Sequence, residues 1–132
     1  MERVLPVVRG LVALAGRAFP GFDAVIEFDE RVGICAPGAP SPCRQFGACA
    51  PGPRIPTIYL SPRLEREPVG RIAGVSAHEV GHALLLWSGV HTHTEREADL
   101  AAEHALGLQI AYDAGDVQTT GPGARPRPSR LG

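Results

Sequence analysis

The stretch SAHEVGHALL, residues 76–85, places two histidines and a glutamate within a run of small and apolar residues. On a helix, His78 and His82 project from one face with their Cβ atoms about 6 Å apart. Two imidazole nitrogens at that spacing can bind one Zn²⁺ at about 2.0–2.1 Å. Glu79 lies one position further round, where it can take a proton from an attacking water. The spacing predicts a catalytic metal site, and the alternative is two surface histidines with a solvated glutamate.

A catalytic zinc takes three protein ligands and keeps a fourth position open, so a third ligand is required. In metzincins the third ligand is a histidine six residues after the second motif histidine. A glycine lies between them, three residues after the second motif histidine. Those positions hold Ser88 and Leu85, which excludes that class. Small residues at Ala77 and Gly81 are expected to leave room beside the histidines.

The remaining candidates for the third ligand are acidic residues of the segment EREADLAAEHALG, residues 95–107. Glu95 and Asp99 are four residues apart and share a helical face. One of them can therefore bind the metal while the other accepts the distal N–H of a ligand histidine.

Helix capping competes for the same acidic residues. Thr94-x-x-Glu97 and Thr92-x-x-Glu95 both fit the capping-box pattern. If the helix begins at Thr94, Glu97 is the cap partner and Glu95 is free for the metal. Glu95 is the favoured ligand, with Glu97 and Asp99 as alternatives.

The elements that must position these residues form a small α+β domain. Apolar residues recur at three- and four-residue spacing from 69 to 88, and Gly89 follows as a C-terminal stop signal. A second, alanine-rich helix starts near 92–94 and suits close packing. The other expected elements are an amphipathic helix over 1–19, short strands within 22–30, 31–36 and 57–61, and an irregular Pro/Gly/Cys loop over 36–56.

Composition limits the class of protein. The chain has 132 residues, 13 basic and 14 acidic, which fits one domain without the basic excess of nucleic-acid binders. No apolar run approaches the roughly 20 residues of a membrane span, and Arg9 and Arg17 interrupt any signal core. We expect a cytoplasmic protein with one domain over 1–114 and a disordered tail over 115–132.

Three cysteines, Cys35, Cys43 and Cys49, fall within fifteen residues, without the CxxC pairs of a zinc knuckle. Free thiols are the favoured interpretation, with one disulfide or a metal role as alternatives.

Residues 57 to about 108 resemble the core of gluzincin metallopeptidases, above all the ImmA/IrrE family. The shared pattern is a strand, an HExxH helix, a short connection and a helix opening with E-x-E-A-(N/D). The resemblance implies a minimal zincin-like domain, in which a small mixed sheet packs on the HExxH helix. It implies Zn²⁺ as cofactor, with His78, His82 and Glu95 as ligands and Glu79 as catalytic base. Asp99 matches the family's Asn/Asp position and also resembles the carboxylate that orients a ligand histidine in CAAX-type proteases.

The resemblance further implies a cytoplasmic zinc endopeptidase that cuts a partner regulatory protein, such as a helix-turn-helix repressor. From the balanced charge and the lack of a long apolar run, we expect no direct binding to nucleic acid or membrane. The substrate is expected to pair with a sheet edge, and TIYLS at 57–61 is the candidate edge strand. The candidate oxyanion donors are His91, His93, Tyr59 and Tyr112.

Two alternatives to this function follow from the same residues. The chain could be a zincin-fold binding module that regulates a partner by docking. An upstream Cys49 near zinc would resemble peptide deformylases, but these carry an acidic residue before the second motif histidine, where this chain has Gly81.

Overall fold

A computed structural model describes residues 1–32 and 46–107 and has an α+β architecture, as the sequence predicts. Its elements in chain order are helix α1 (Val4–Ala18), strands β1 (Val25–Phe28), β2 (Gly47–Ala50) and β3 (Thr57–Leu60), a 3₁₀ helix (Pro62–Arg66), and helices α2 (Val69–Trp87) and α3 (Glu95–Leu106). Within these residues, no helix has both the length and the apolar character that crossing a membrane requires.

The three strands form a mixed sheet in the order β1-β3-β2. Strand β3 is parallel to β1 and antiparallel to β2, with Gly47 opposite Leu60 and Cys49 opposite Ile58. The strand predicted at 57–61 is therefore present, but the prediction that it forms the sheet edge was wrong. It is the central strand, and β2 lies at one side of it.

Strand β2 also corrects the prediction of an irregular loop over 36–56. Residues 47–50, GACA, have little intrinsic strand preference, and they are extended because they pair with β3. Of the strand predicted at 31–36, Arg31 and Val32 form a turn, and the rest lies outside the described residues, as do Cys35 and Cys43. The predicted domain end at 114 and the tail over 115–132 also lie outside them.

Helix α1 packs against α2, the helix that carries His78, Glu79 and His82. Its buried positions recur every three or four residues and pack against α2 in the core, namely Val4, Val8, Val12 and Ala15. The carboxylate of Glu65 accepts hydrogen bonds from the backbone N–H groups of Arg3 and Val4, which caps the helix N-terminus. The predicted amphipathic first helix is thus present.

Helices α2 and α3 approach each other closely at a glycine. A Cβ on Gly81 would lie 1.9 Å from the carbonyl oxygen of Ala98 and 3.1 Å from the Cβ of Ala102. The space at Gly81 is therefore filled by the α3 backbone and is not left open for metal or substrate, which corrects the expectation for this residue. The alanine-rich face of α3 makes this approach possible, as predicted.

Candidate metal centre

Three side chains predicted as metal ligands converge between α2 and α3. The Nε2 atom of His78 lies 2.8 Å from Oε1 of Glu95 and 3.1 Å from Nε2 of His82. The Nε2 atom of His82 lies 3.2 Å from Oε2 of Glu95. Among the described residues, His78, His82 and Glu95 form a group whose ligand atoms all lie close enough to hold one metal ion.

The spacing of these atoms fits a tetrahedral ion. Ligand atoms at about 2.0–2.2 Å from a tetrahedral Zn²⁺ are separated from one another by roughly 3.3–3.5 Å. The observed separations of 2.8 to 3.2 Å require only small outward movements of the side chains. With three protein ligands, a tetrahedral ion would have its fourth position left for water or substrate.

A hydrogen bond from His78 to Asp99 orients the His78 ring so that a nitrogen lone pair points toward the other two candidate ligands. Asp99 Oδ1 accepts a hydrogen bond from Nδ1 of the buried His78 at 2.7 Å, which assigns the His78 proton to Nδ1 and leaves Nε2 as a lone-pair donor. The Nε2 lone pair of His78 then faces Nε2 of His82 and a carboxylate oxygen of Glu95. Such a donor set is stable only with a proton or a metal cation between its members.

The pKa shifts of His78 and Glu95 also indicate that the group favours a bound positive charge. Burial disfavours the charged form of His78, but hydrogen bonds to Asp99 and Glu95 outweigh it and raise the pKa of His78 to about 10. Burial also acts to raise the pKa of Glu95, yet hydrogen bonds to His78 and His82 hold it well below its ordinary value. The site therefore keeps Glu95 ionised and attracts a cation.

The acidic residues of α3 have three different roles. Thr94 is the helix N-cap and forms a full capping box with the exposed Glu97. Asp99 is buried against His78. Glu95 alone of the three lies within hydrogen-bonding distance of Nε2 on both histidines, so the geometry favours it over Glu97 and Asp99 as the third ligand.

Glu79 is buried beneath strand β2. It is 5% exposed, and a Cβ on Gly47 would lie 2.7 Å from its carboxyl group. The thiol of Cys49 donates to the Glu79 carboxylate at 3.3 Å and is 3.2 Å from its backbone oxygen. Burial raises the pKa of Glu79, against the opposing effect of His78 and His82. A carboxyl group with a raised pKa is suited to general-base chemistry near neutral pH.

Cys49 contacts this carboxylate and is not a member of the metal-binding group found among the described residues. Burial and the neighbouring Glu79 raise the pKa of the Cys49 thiol, which keeps it protonated. Because the Cys49 thiol contacts Glu79 and lies outside the group of ligand atoms, the geometry disfavours the deformylase-like alternative.

Of the two tyrosines predicted as candidate oxyanion donors, the structure describes only Tyr59. Tyr59 is opposite Ala48, whereas Gly47 and Cys49 face Glu79 on α2. Because side chains alternate along a strand, Tyr59 points to the other face of the sheet and cannot serve as an oxyanion donor here. Tyr112 lies outside the described residues.

The histidines of the connection between α2 and α3 also differ. His91 is exposed. His93 has both ring nitrogens in hydrogen bonds, one with Nδ1 of His82 and one with the carbonyl oxygen of Val90. Neither nitrogen is free to donate to an oxyanion, so the role predicted for His93 is not supported by its geometry.

Sequence reasoning missed Gly47, and it named Cys49 and His93 without the partners that the structure gives them. Cys49 and Gly47 contact Glu79 across 30 or more positions, and His93 was noted without its partner. Local spacing contains no signal for these contacts. Comparison of the chain with models of protein families, with curated proteins and with solved structures finds no match.

Proposed function

We propose that this chain is a zinc-dependent endopeptidase in which His78, His82 and Glu95 hold Zn²⁺. The observation that supports it is the convergence of these three ligand atoms beside a buried carboxylate, Glu79, on the same helix. A metal site with a purely structural purpose would have no use for an acid next to it. A tetrahedral His₂Glu site with one open position is a catalytic zinc arrangement.

Zinc in this site would act as a Lewis acid, polarising the scissile carbonyl and lowering the pKa of water. Glu79 takes the proton from the attacking water and delivers it to the leaving amine. Its contacts with Gly47 and Cys49 restrict the carboxylate to one side of α2. Asp99 holds the His78 ring so that Nε2 points into the site.

The substrate peptide would pair with strand β2. Of the described strands, β2 and β1 are the outer ones, and β2 lies over α2 next to Glu79. An extended peptide bound along this strand would pair with backbone N–H and C=O groups on the side of β2 that faces away from β3. A peptide bound there would pass the carboxylate that has to act on it.

We further propose that the substrate is a partner regulatory protein, such as a helix-turn-helix repressor. Support for this comes from the resemblance of residues 57 to about 108 to the ImmA/IrrE family. A chain with nearly balanced charge, 13 basic against 14 acidic residues, does not itself favour nucleic acid.

The test combines metal content with hydrolysis. Purified protein is assayed for zinc by elemental analysis and for cleavage of candidate repressors and a peptide library. Glu79→Gln should retain zinc and lose hydrolysis, whereas His82→Ala should lose zinc. His104→Ala is the matched control, since it removes an exposed histidine that lies outside the metal-binding group, and it should change neither property.

The results for these variants test the roles assigned to the residues and distinguish a peptidase from a docking module. Equal zinc content in Glu79→Gln and His82→Ala would contradict the assigned roles. Zinc binding together with equal repressor binding by wild type and Glu79→Gln, and no cleavage by either, would instead favour the docking module.

A further inference from the structure

We infer that His93 is a positioning residue for the metal ligand His82, holding its imidazole through a neutral histidine-to-histidine hydrogen bond. This inference rests on the proposed metal site and goes beyond it by making the connection between α2 and α3 part of the site. His93 lies 11 positions after His82, and its Nε2 atom is 2.7 Å from Nδ1 of His82. The two ring centroids are 4.9 Å apart.

The direction of this hydrogen bond follows from the other side of the His93 ring. Its Nδ1 atom lies 3.0 Å from the carbonyl oxygen of Val90, which can only accept. His93 therefore carries a proton on Nδ1, and in the neutral ring its Nε2 is the acceptor. His82 donates from Nδ1, which leaves the lone pair on its Nε2 pointing at His78 and Glu95.

The His93 ring is itself fixed by the end of helix α2. The backbone N–H of Val90 donates to the carbonyl oxygen of Leu85 at 2.8 Å. Gly89, with φ of 94°, provides the left-handed turn that brings the chain back. Three successive hydrogen bonds thus connect the last turn of α2 to the ring of His82.

The two histidine ligands are consequently held by different partners. His78 donates to the carboxylate of Asp99, whereas His82 donates to the neutral ring of His93. With Glu95, the group already has two carboxylates to balance a divalent cation. A neutral acceptor at position 93 orients His82 without adding a third negative charge, and removal of such a partner typically costs 10–100-fold in metal affinity.

The first experiment measures zinc affinity by competition with a chromophoric chelator, so it requires no substrate. His93→Ala should bind zinc about 10–100-fold more weakly than wild type. His93→Gln, whose amide oxygen can reach the position of the lost Nε2 acceptor, should recover most of that affinity. His91→Ala, which alters an exposed histidine two residues away, should match wild type. The absorption bands of Co²⁺-loaded protein should change in His93→Ala and return in His93→Gln.

The second experiment needs no variant and covers the case in which His93→Ala does not fold. Long-range ¹H–¹⁵N spectra of zinc-loaded wild type should show both His82 and His93 as Nδ1–H tautomers. Wild-type affinity in His93→Ala, or an Nε2–H tautomer at His93, would overturn the inference while leaving the proposed peptidase intact. Failure of wild type to bind zinc would overturn both, and zinc binding without hydrolysis would overturn the peptidase alone.

Discussion

Replacing Gly81 with alanine should separate α2 from α3 and weaken the metal site without changing any ligand. Gly81 is buried where the two helices meet, and a Cβ there would lie 1.9 Å from the carbonyl oxygen of Ala98. Contacts below 3.0 Å essentially never occur for a real Cβ. Because the obstructing atom belongs to the backbone, the helices must separate by about 1 Å.

The size of the effect follows from the position of Glu95. It lies three residues before Ala98 on the same helix and must move with it. A shift of about 1 Å exceeds the roughly 0.5 Å within which a functional constellation has to be held. Overpacking costs about 1–3 kcal/mol, and alanine regains about 0.5–1 kcal/mol over glycine within a helix. We expect a loss of the order of 1 kcal/mol in the free energy of unfolding and at least about tenfold weaker zinc binding.

The control is a second glycine of the same helix. A Cβ on Gly74 meets no atom within 4 Å, so Gly74→Ala should stabilise the protein by about 0.5–1 kcal/mol and leave zinc binding unchanged. Urea denaturation of the metal-free proteins and chelator competition measure the two quantities. If Gly81→Ala proved as stable as Gly74→Ala and bound zinc like wild type, the close approach of α2 and α3 would not control the site.

Asp99→Ala removes the acceptor for Nδ1 of His78 and should weaken zinc binding about 10–100-fold by chelator competition, and wild-type affinity would refute the orienting role. Gly47→Ala places a Cβ 2.7 Å from the Glu79 carboxyl group, so hydrolysis should fall while zinc content by elemental analysis stays constant. The contribution of His78 to the stability of the metal-free protein should be fully present below its unfolded pKa of 6.5 and should decrease as pH rises toward the folded pKa of about 10, because the folded state alone retains that proton. Urea midpoints that do not fall between pH 6.5 and 10 would contradict this.

Local spacing was enough to predict the helical part of the site. His78 and His82 share a face because an α-helix repeats every 3.6 residues, whatever surrounds it. The capping box of Thr94 with Glu97 is equally local, and it leaves Glu95 free at the start of α3. These features depend on residues within one turn of each other, so the sequence by itself determined them.

Only the tertiary structure decided how the rest of the site is assembled. Strand β2 exists because it pairs with β3, and that pairing gives Glu79 its contacts with Gly47 and Cys49 and turns Tyr59 away. Gly81 meets α3 instead of lining an open space, and His93 forms a hydrogen bond with His82. Each of these outcomes depends on contacts between segments that are distant along the chain. Strand register and the approach of the helices set the geometry of those contacts. Residue type and spacing within one segment encode neither the register nor the approach.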